Sequence, residues 1–153
     1  MDVHAGAVVV LLLLQYALGM AANLWLVFPD SAATEGAYFE AAWSQGVFGA
    51  HVVDAIVTFL LLVALFVRAV RAKSRAWAAA SFASLAGVGM SIAGGVTFVG
   101  SQDDSFSYLM AWGFAIASGS VLAALVFIPR TRARYTAAAA IDDGVTPGKG
   151  TAP

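Results

Sequence analysis

The sequence predicts an all-α protein, a bundle of four transmembrane helices, from three observations. The 153 residues are 61% hydrophobic and 11% charged, whereas soluble domains are about 45–50% apolar and about 25% charged. The mean hydropathy is +0.84. Four stretches with few or no charges are each long enough for the roughly 20 residues that cross a bilayer as a helix. These features exclude a soluble enzyme, a nucleic-acid-binding protein and a disordered chain.

The four spans are predicted from the apolar runs. The first ends before Pro29, because proline lacks the amide hydrogen that a helix needs, and the second is interrupted only by His51 and Asp54. Strands of a membrane barrel alternate apolar and polar residues, whereas these runs are apolar on all sides. The predicted spans are residues 5–28, 46–68, 76–99 and 106–128.

The transmembrane domain is predicted to cover residues 1–135, with one long outer loop at 29–45. The pattern of that loop suits either a short helix lying in the membrane interface or a surface loop. The last segment, residues 136–153, ends in a stretch that is rich in Gly, Pro and Thr and has little apolar surface to bury. It is predicted to form a disordered cytoplasmic tail.

The basic residues are distributed asymmetrically along the chain. All eight Lys and Arg lie between spans two and three or after span four, and the loops at 29–45 and 100–105 have none. Cytoplasmic loops collect Lys and Arg, so both termini are predicted to be cytoplasmic in a protein of the inner cell membrane. Aromatic residues are expected at both interfaces, with Trp77 and Tyr135 at the inner one and Trp25, Tyr38, Trp43 and Tyr108 at the outer one.

Small residues recur every four positions in spans three and four. Close approach at small residues drives helix packing in membranes, so these two stripes are expected to pack against each other or to form a homodimer. The competing interpretation is that Ala is simply abundant in this chain. The residues concerned are Ala79, Ala83, Gly87, Ser91 and Gly95 in span three, and Ala111, Ala115, Gly119 and Ala123 in span four.

Polar side chains in the first two spans form the candidate site. Asp54 is the only acidic residue inside a span, with His51 one turn before it and Thr58 one turn after it. Span one carries Gln15 and Asn23. Two interpretations remain open, a set of hydrogen bonds that joins the two spans or a polar pocket open to the outside. A buried acid is costly, so Asp54 is predicted to be functional and to pair with His51, Asn23 or Thr58.

A metal or haem site is the alternative use of His51. Met20, Met90 and Met110 are predicted to lie near the depth of His51, and His with Met can ligate haem b or copper. The other interpretation is that Met fills gaps between helices, and no cofactor is the main expectation. His4 is predicted at the opposite membrane face, which excludes a haem held by two histidines of one monomer. The lack of Cys excludes thiolate ligands.

Three segments carry a resemblance to known membrane proteins: LLQYALGMAANLWLVFP, AHVVDAIVTFLLLVALFVRAVRAKSRA and SYLMAWGFAIA. Over about residues 8–128 the chain resembles a group of small, uncharacterised four-helix integral membrane proteins of high-GC Gram-positive bacteria. It is more faintly similar to small four-helix haem-b membrane proteins, whose sites usually need a second His that is missing here. The resemblance implies an architecture and a bacterial cell membrane, but no activity.

The function predicted from these features is a non-enzymatic accessory, interaction or sensing component of the membrane. No phosphate-binding loop or Ser-His-Asp set is recognisable. The alternatives are a redox protein that uses His51 with Met residues, and a small proton-coupled transporter that acts as an oligomer around Asp54. The expected partners are the lipid bilayer and a second copy or another membrane protein, and no nucleic acid.

Overall fold

The structure is a computed structural model that describes residues 2–27 and 34–142, the side chains at 35 and 129–142 excepted. The described residues form helices and connecting turns without a strand. Four of the helices are long and apolar enough to span a membrane, the last of them through Ile128. The predicted four-helix class is therefore confirmed. The helices are α1 (Asp2–Trp25), α2 (Glu35–Trp43), α3 (Gly46–Arg71), α4 (Arg75–Ser101) and α5 (Ser105–Asp142).

Three of the long helices extend further than the predicted spans, and the first is shifted. α1 begins at Asp2 rather than at residue 5 and ends at Trp25 rather than at residue 28. The backbone of α5 continues to Asp142, so residues 136–142 of the expected disordered tail are helical. A run of alanines, the best helix formers, lies in this extension. The remainder of the tail, residues 143–153, lies outside the described residues.

Each long helix packs against the next one in the chain, and α1 also packs against α5. This is an up-down-up-down bundle, in which short turns join α3 to α4 and α4 to α5, and a longer connection that contains α2 joins α1 to α3. Lys73 and Gln102, with φ angles of 52° and 57°, reverse the chain after α3 and after α4. We call the end that holds Arg68 and Arg75 the basic end, and the opposite end the α2 end.

The connection between α1 and α3 contains a short helix, α2, that packs on α3 and α4. Ala42 is fully buried, and the ring of Trp43 meets Phe48 edge-on with centroids 5.9 Å apart. The Gln45 side-chain amide pairs with the backbone of Val27 in both directions. Its Oε1 accepts from the Val27 N–H at 3.1 Å and its Nε2 donates to the Val27 carbonyl at 3.0 Å. The end of α1 is thereby fastened to the junction between α2 and α3.

The buried apolar core occupies the half of the bundle near the basic end. Trp77 is part of it, with only 2% of its surface exposed. The expectation that Trp77 lies at the inner membrane interface stays a prediction, because burial between helices does not fix the depth of a residue in a bilayer. Large apolar side chains such as Phe82 and Phe127, both more than 60% exposed, cover the outside instead. The core consists of Ala5, Val8, Leu12, Leu62, Leu65, Ala69, Trp77, Val88, Ala117, Val121 and Ala124.

Helices α4 and α5 approach each other most closely at Gly87 and Gly113. A Cβ added to either glycine would lie 2.5 Å from the carbonyl oxygen of the other. On one side of this contact Ser84 donates to the carbonyl of Ala117, and on the other Ser91 donates to the carbonyl of Met110, both at 2.9 Å. Glycine thus permits backbone contact, and the two serines join the helices across it.

The contact faces of α4 and α5 differ in part from the predicted stripes. Gly87 and Ser91 lie in the interface, and Gly95 faces the side chain of Met110. Ala115 and Gly119 lie on the exposed side of α5. The face of α5 that meets α4 runs through Met110, Gly113 and Ala117 instead. The remaining predicted positions lie outside the closest contact, with Ala83 half-buried and Ala79, Ala111 and Ala123 exposed.

Candidate functional site

The interior face of α3 carries the central residues of the site. Asp54 is 7% exposed and Thr58 is 1% exposed. The same face continues as Leu62, Leu65 and Ala69, all fully buried in the apolar core. Spacings of three and four residues keep one face of a helix directed inward, so the sequence of α3 places an acid and a hydroxyl inside the bundle by the same periodicity that builds its core.

His51 lies one turn nearer the α2 end and contacts α1. Its Nε2 is 3.1 Å from Nε2 of Gln15. With the amide nitrogen of Gln15 as the donor, a neutral His51 ring accepts at Nε2 and carries its proton on Nδ1. Gly19 makes room for the ring, because a Cβ at that position would lie 3.2 Å from His51 Cε1. The sequence pattern did not indicate this role for Gly19.

Four polar side chains therefore line one part of the interior, and we call them the polar row: Gln15, His51, Asp54 and Thr58. Each has one buried atom without a hydrogen-bond partner among the described residues, namely Gln15 Oε1, His51 Nδ1, Asp54 Oδ2 and Thr58 Oγ1. The expected pairing of Asp54 with His51 or Thr58 is therefore not made by these atoms. Asn23 is exposed on α1 and does not join the row.

Arg68 and His4 lie away from the polar row. Arg68 is about four turns from Asp54 along α3. Its guanidinium donates to His4 Nδ1 at 3.1 Å, and His4 Nε2 donates to the Leu61 carbonyl at 3.0 Å. These contacts place His4 near the basic end, as the sequence predicted. Among the described residues, His51 is accordingly the basic side chain next to Asp54 on α3.

The carboxyl group of Asp103, at the α2 end, has a lowered pKa. Asp103 lies in the turn before α5, where its Oδ1 accepts from the Ser105 N–H at 2.9 Å. Hydrogen bonds from the backbone and side chain of Ser105 hold the pKa of Asp103 below its usual range. The carboxylate is fully exposed and satisfies the start of α5, as N-terminal capping residues do. It takes no part in the polar row.

The three methionines considered with His51 occupy different surroundings. Met20 is 43% exposed on α1, and Met90 is partly buried on α4. Met110 fills the space beside Gly94 and Gly95, with its sulfur 3.2 Å from where a Cβ of Gly95 would lie. In the part of the chain that the structure describes, no three His, Asp or Glu side chains group as metal ligands would. Methionine–histidine ligation of a haem or copper remains a prediction.

The polar row can exchange protons and hydrogen bonds, since it combines a carboxyl, an imidazole, an amide and a hydroxyl. It begins at half-buried His51 near the α2 end and stops at Thr58, where the apolar core starts. The inward face of α3 thus changes from polar residues toward the α2 end to apolar residues toward the basic end.

No protein-family model, curated protein or solved structure matches the chain. The resemblance carried by spans one, two and four stays a prediction.

Proposed function

We propose that this chain is a small, non-enzymatic membrane protein that acts as an accessory, interaction or sensing component, with the polar row as its functional site. The four buried polar atoms without hydrogen-bond partners among the described residues support this role. An unpaired polar group in an apolar setting destabilises the fold by about 1–3 kcal/mol. Residues kept at such a cost are more readily explained by function than by packing.

We further propose that the α2 end faces outward and the basic end faces the cytoplasm. The support is the sequence distribution of Lys and Arg, all of which lie toward the basic end or in the tail that follows α5. In this orientation the polar row is reached from outside the cell. A sensing or interaction role then concerns extracellular protons or the membrane-embedded surface of a partner protein.

Two substitutions of Asp54 test whether the acid is functional or structural. Asp54→Asn keeps the shape of the side chain, and Asp54→Leu removes its polarity. Asp54 Oδ2 has no hydrogen-bond partner among the described residues, so removing this oxygen breaks no hydrogen bond with them. We expect both variants to accumulate in the membrane and Asp54→Leu to have an unchanged or higher Tm in detergent.

Ser84 provides the matched control for this experiment. It is as deeply buried as Asp54, but its hydroxyl donates to the Ala117 carbonyl between α4 and α5. Ser84→Leu should therefore lower the Tm, because it removes that bond and adds bulk at a tight contact. If Asp54→Leu fails to accumulate, or loses as much stability as Ser84→Leu, then Asp54 belongs to the structural framework and the proposed functional role of the row is refuted.

A further inference from the structure

The polar row has a direction within the bundle. His51 and Thr58 are seven residues apart, which corresponds to about 10 Å along the helix axis. Gln15 lies at the level of His51, to which it is hydrogen-bonded. Exposure decreases along the row, from half-buried His51 to Asp54 at 7% and Thr58 at 1%. The row thus leads inward from the α2 end.

The apolar core ends the row. The next inward-facing residues of α3 after Thr58 are Leu62 and Leu65, and both are fully buried. Val8 and Leu12 of α1 belong to the same cluster and are 0% and 2% exposed. Toward the basic end, packed aliphatic side chains therefore follow Thr58, whereas toward the α2 end the less buried Asp54 and His51 follow it.

The unpaired atoms of the row include both donors and acceptors. His51 Nδ1 carries a proton when Nε2 accepts from Gln15, so it donates. Gln15 Oε1 and an ionised Asp54 Oδ2 accept, and the Thr58 hydroxyl does both. A metal cation would require acceptors only, and an anion would require donors only. Water fits the mixed set, because a buried water makes about 2–4 hydrogen bonds to groups of both kinds.

We propose that the polar row binds a chain of water molecules that connects Asp54 and Thr58 to the α2 end, and that the apolar core closes this chain toward the basic end. The water chain gives Asp54 access to protons from one side of the membrane only. The proposal deepens the functional role assigned to the row. Its main test measures hydration at position 58 with Asp54 in place, so it does not depend on the stability of Asp54 variants.

The test uses single cysteines in a chain that has none of its own. Thr58→Cys places a thiol at the inner end of the row with almost no change in volume. Ser84→Cys is the matched control, since Ser84 and Thr58 are equally buried at 0% and 1% exposure, but Ser84 is hydrogen-bonded. Ala69→Cys probes the apolar core, where the native residue is fully buried.

Silver ion is the probe, because it is small, hydrated and reacts with thiolates. The protein is embedded in sealed vesicles, silver nitrate is added to one side in chloride-free buffer, and the remaining thiols are counted after denaturation. Ser44→Cys, exposed at the α2 end, and Lys73→Cys, exposed at the basic end, report which side faces the silver solution. A thiol in an apolar site is mostly protonated and inert, whereas hydration promotes the reactive thiolate.

We expect Thr58→Cys to react at least about tenfold faster than Ser84→Cys and Ala69→Cys, since each unit of thiol pKa changes the thiolate fraction tenfold. The reaction should occur only with silver on the side where Ser44→Cys reacts. Adding Asp54→Leu should slow the reaction of Thr58→Cys, because it removes a water-binding group. If Thr58→Cys fails to fold, Asp54→Cys is the second reporter. Its thiol should react with silver at the rate expected for Thr58→Cys.

Three results would overturn the proposal. Equal, slow rates at Thr58→Cys and Ser84→Cys would mean that the row is dry. Reaction of Thr58→Cys from both sides would mean that the core does not close it. A rate at Ala69→Cys equal to that at Thr58→Cys would mean that water enters the whole interior. If only the Asp54→Leu variant fails to fold, the functional role of the acid is refuted. The hydration of the row is then still decided by the silver rates at Thr58→Cys, Ser84→Cys and Ala69→Cys.

Discussion

Replacing Gly87 by Ala tests the closest helix contact in the bundle. The added Cβ would lie 2.5 Å from the Gly113 carbonyl oxygen and 2.7 Å from the Ala117 nitrogen. Both neighbours are backbone atoms, so no side chain can rotate away. Ordinary contact begins at 3.4 Å, which means that α4 and α5 must separate by about 1 Å at this point.

The magnitude follows from two effects of that separation. Overpacking a closely packed contact destabilises a protein by about 1–3 kcal/mol. The bonds from Ser84 and Ser91, both 2.9 Å long, would stretch beyond hydrogen-bonding distance, at a cost of about 0.6 kcal/mol each in membrane helices. Alanine regains at most about 1 kcal/mol through its higher helix propensity. We therefore expect a net loss of about 1–3 kcal/mol.

The assay is unfolding in detergent, with Gly89→Ala and Gly119→Ala as controls. A Cβ at either control position meets nothing within 4 Å in the described structure. Gly87→Ala should lower the free energy of unfolding, and the two controls should leave it unchanged or raise it slightly. If Gly87→Ala is as stable as Gly89→Ala, the helices do not meet at Gly87 and the account of the α4–α5 contact is incorrect.

Four further predictions concern other parts of the molecule. Gln45→Ala should lower the Tm in detergent by removing the amide pairing that fastens the end of α1, whereas a Gln45→Ala protein with an unchanged Tm would show that α1 is held elsewhere. The hydrogen-bonded Asp103 carboxylate stabilises the start of α5 at pH values above its ordinary pKa, and this stabilisation is lost as the pH falls through the lowered pKa of the folded protein. The difference in stability between the wild type and Asp103→Ala should therefore shrink on acidification. A difference that grows would contradict the assigned hydrogen bonds. In intact cells an impermeant thiol reagent should label Gly36→Cys and not Gly148→Cys, and the reverse pattern would invert the proposed orientation. Protein purified from haem- and copper-supplied cells should show no Soret band and no bound metal; a band that His51→Ala abolishes would favour the redox alternative.

The spans could be predicted from sequence because hydropathy and length are set by the bilayer, but the inward faces could not. A step of four residues turns a helix by about 400°, so an every-fourth pattern drifts by about 40° at each repeat. The predicted stripe therefore leaves the interface within three repeats. The observed face of α4 alternates between three and four residues, through Ser84, Gly87, Ser91 and Gly94.

The same drift explains the candidate site. Gln15 and Asn23 are eight residues apart and differ by about 80° around α1, so Gln15 faces His51 while Asn23 is exposed. His51 and Thr58 are seven residues apart, which is within about 20° of two full turns of a helix. The series His51, Asp54 and Thr58 therefore stays on the inner side of α3. The accommodation of His51 at Gly19 could not be predicted, since it depends on how two helices approach and not on a local pattern.

Helix α1 is attached to its surroundings at both extremities. Near the basic end, His4 bonds the Leu61 carbonyl and Arg68 on α3, and near the α2 end the backbone of Val27 bonds Gln45. Between these two ends, Gln15 bonds His51 of α3, so the two helices are joined at three levels. A displacement of α1 along its axis would break polar bonds at all three levels, and α1 and α3 should therefore move as one unit.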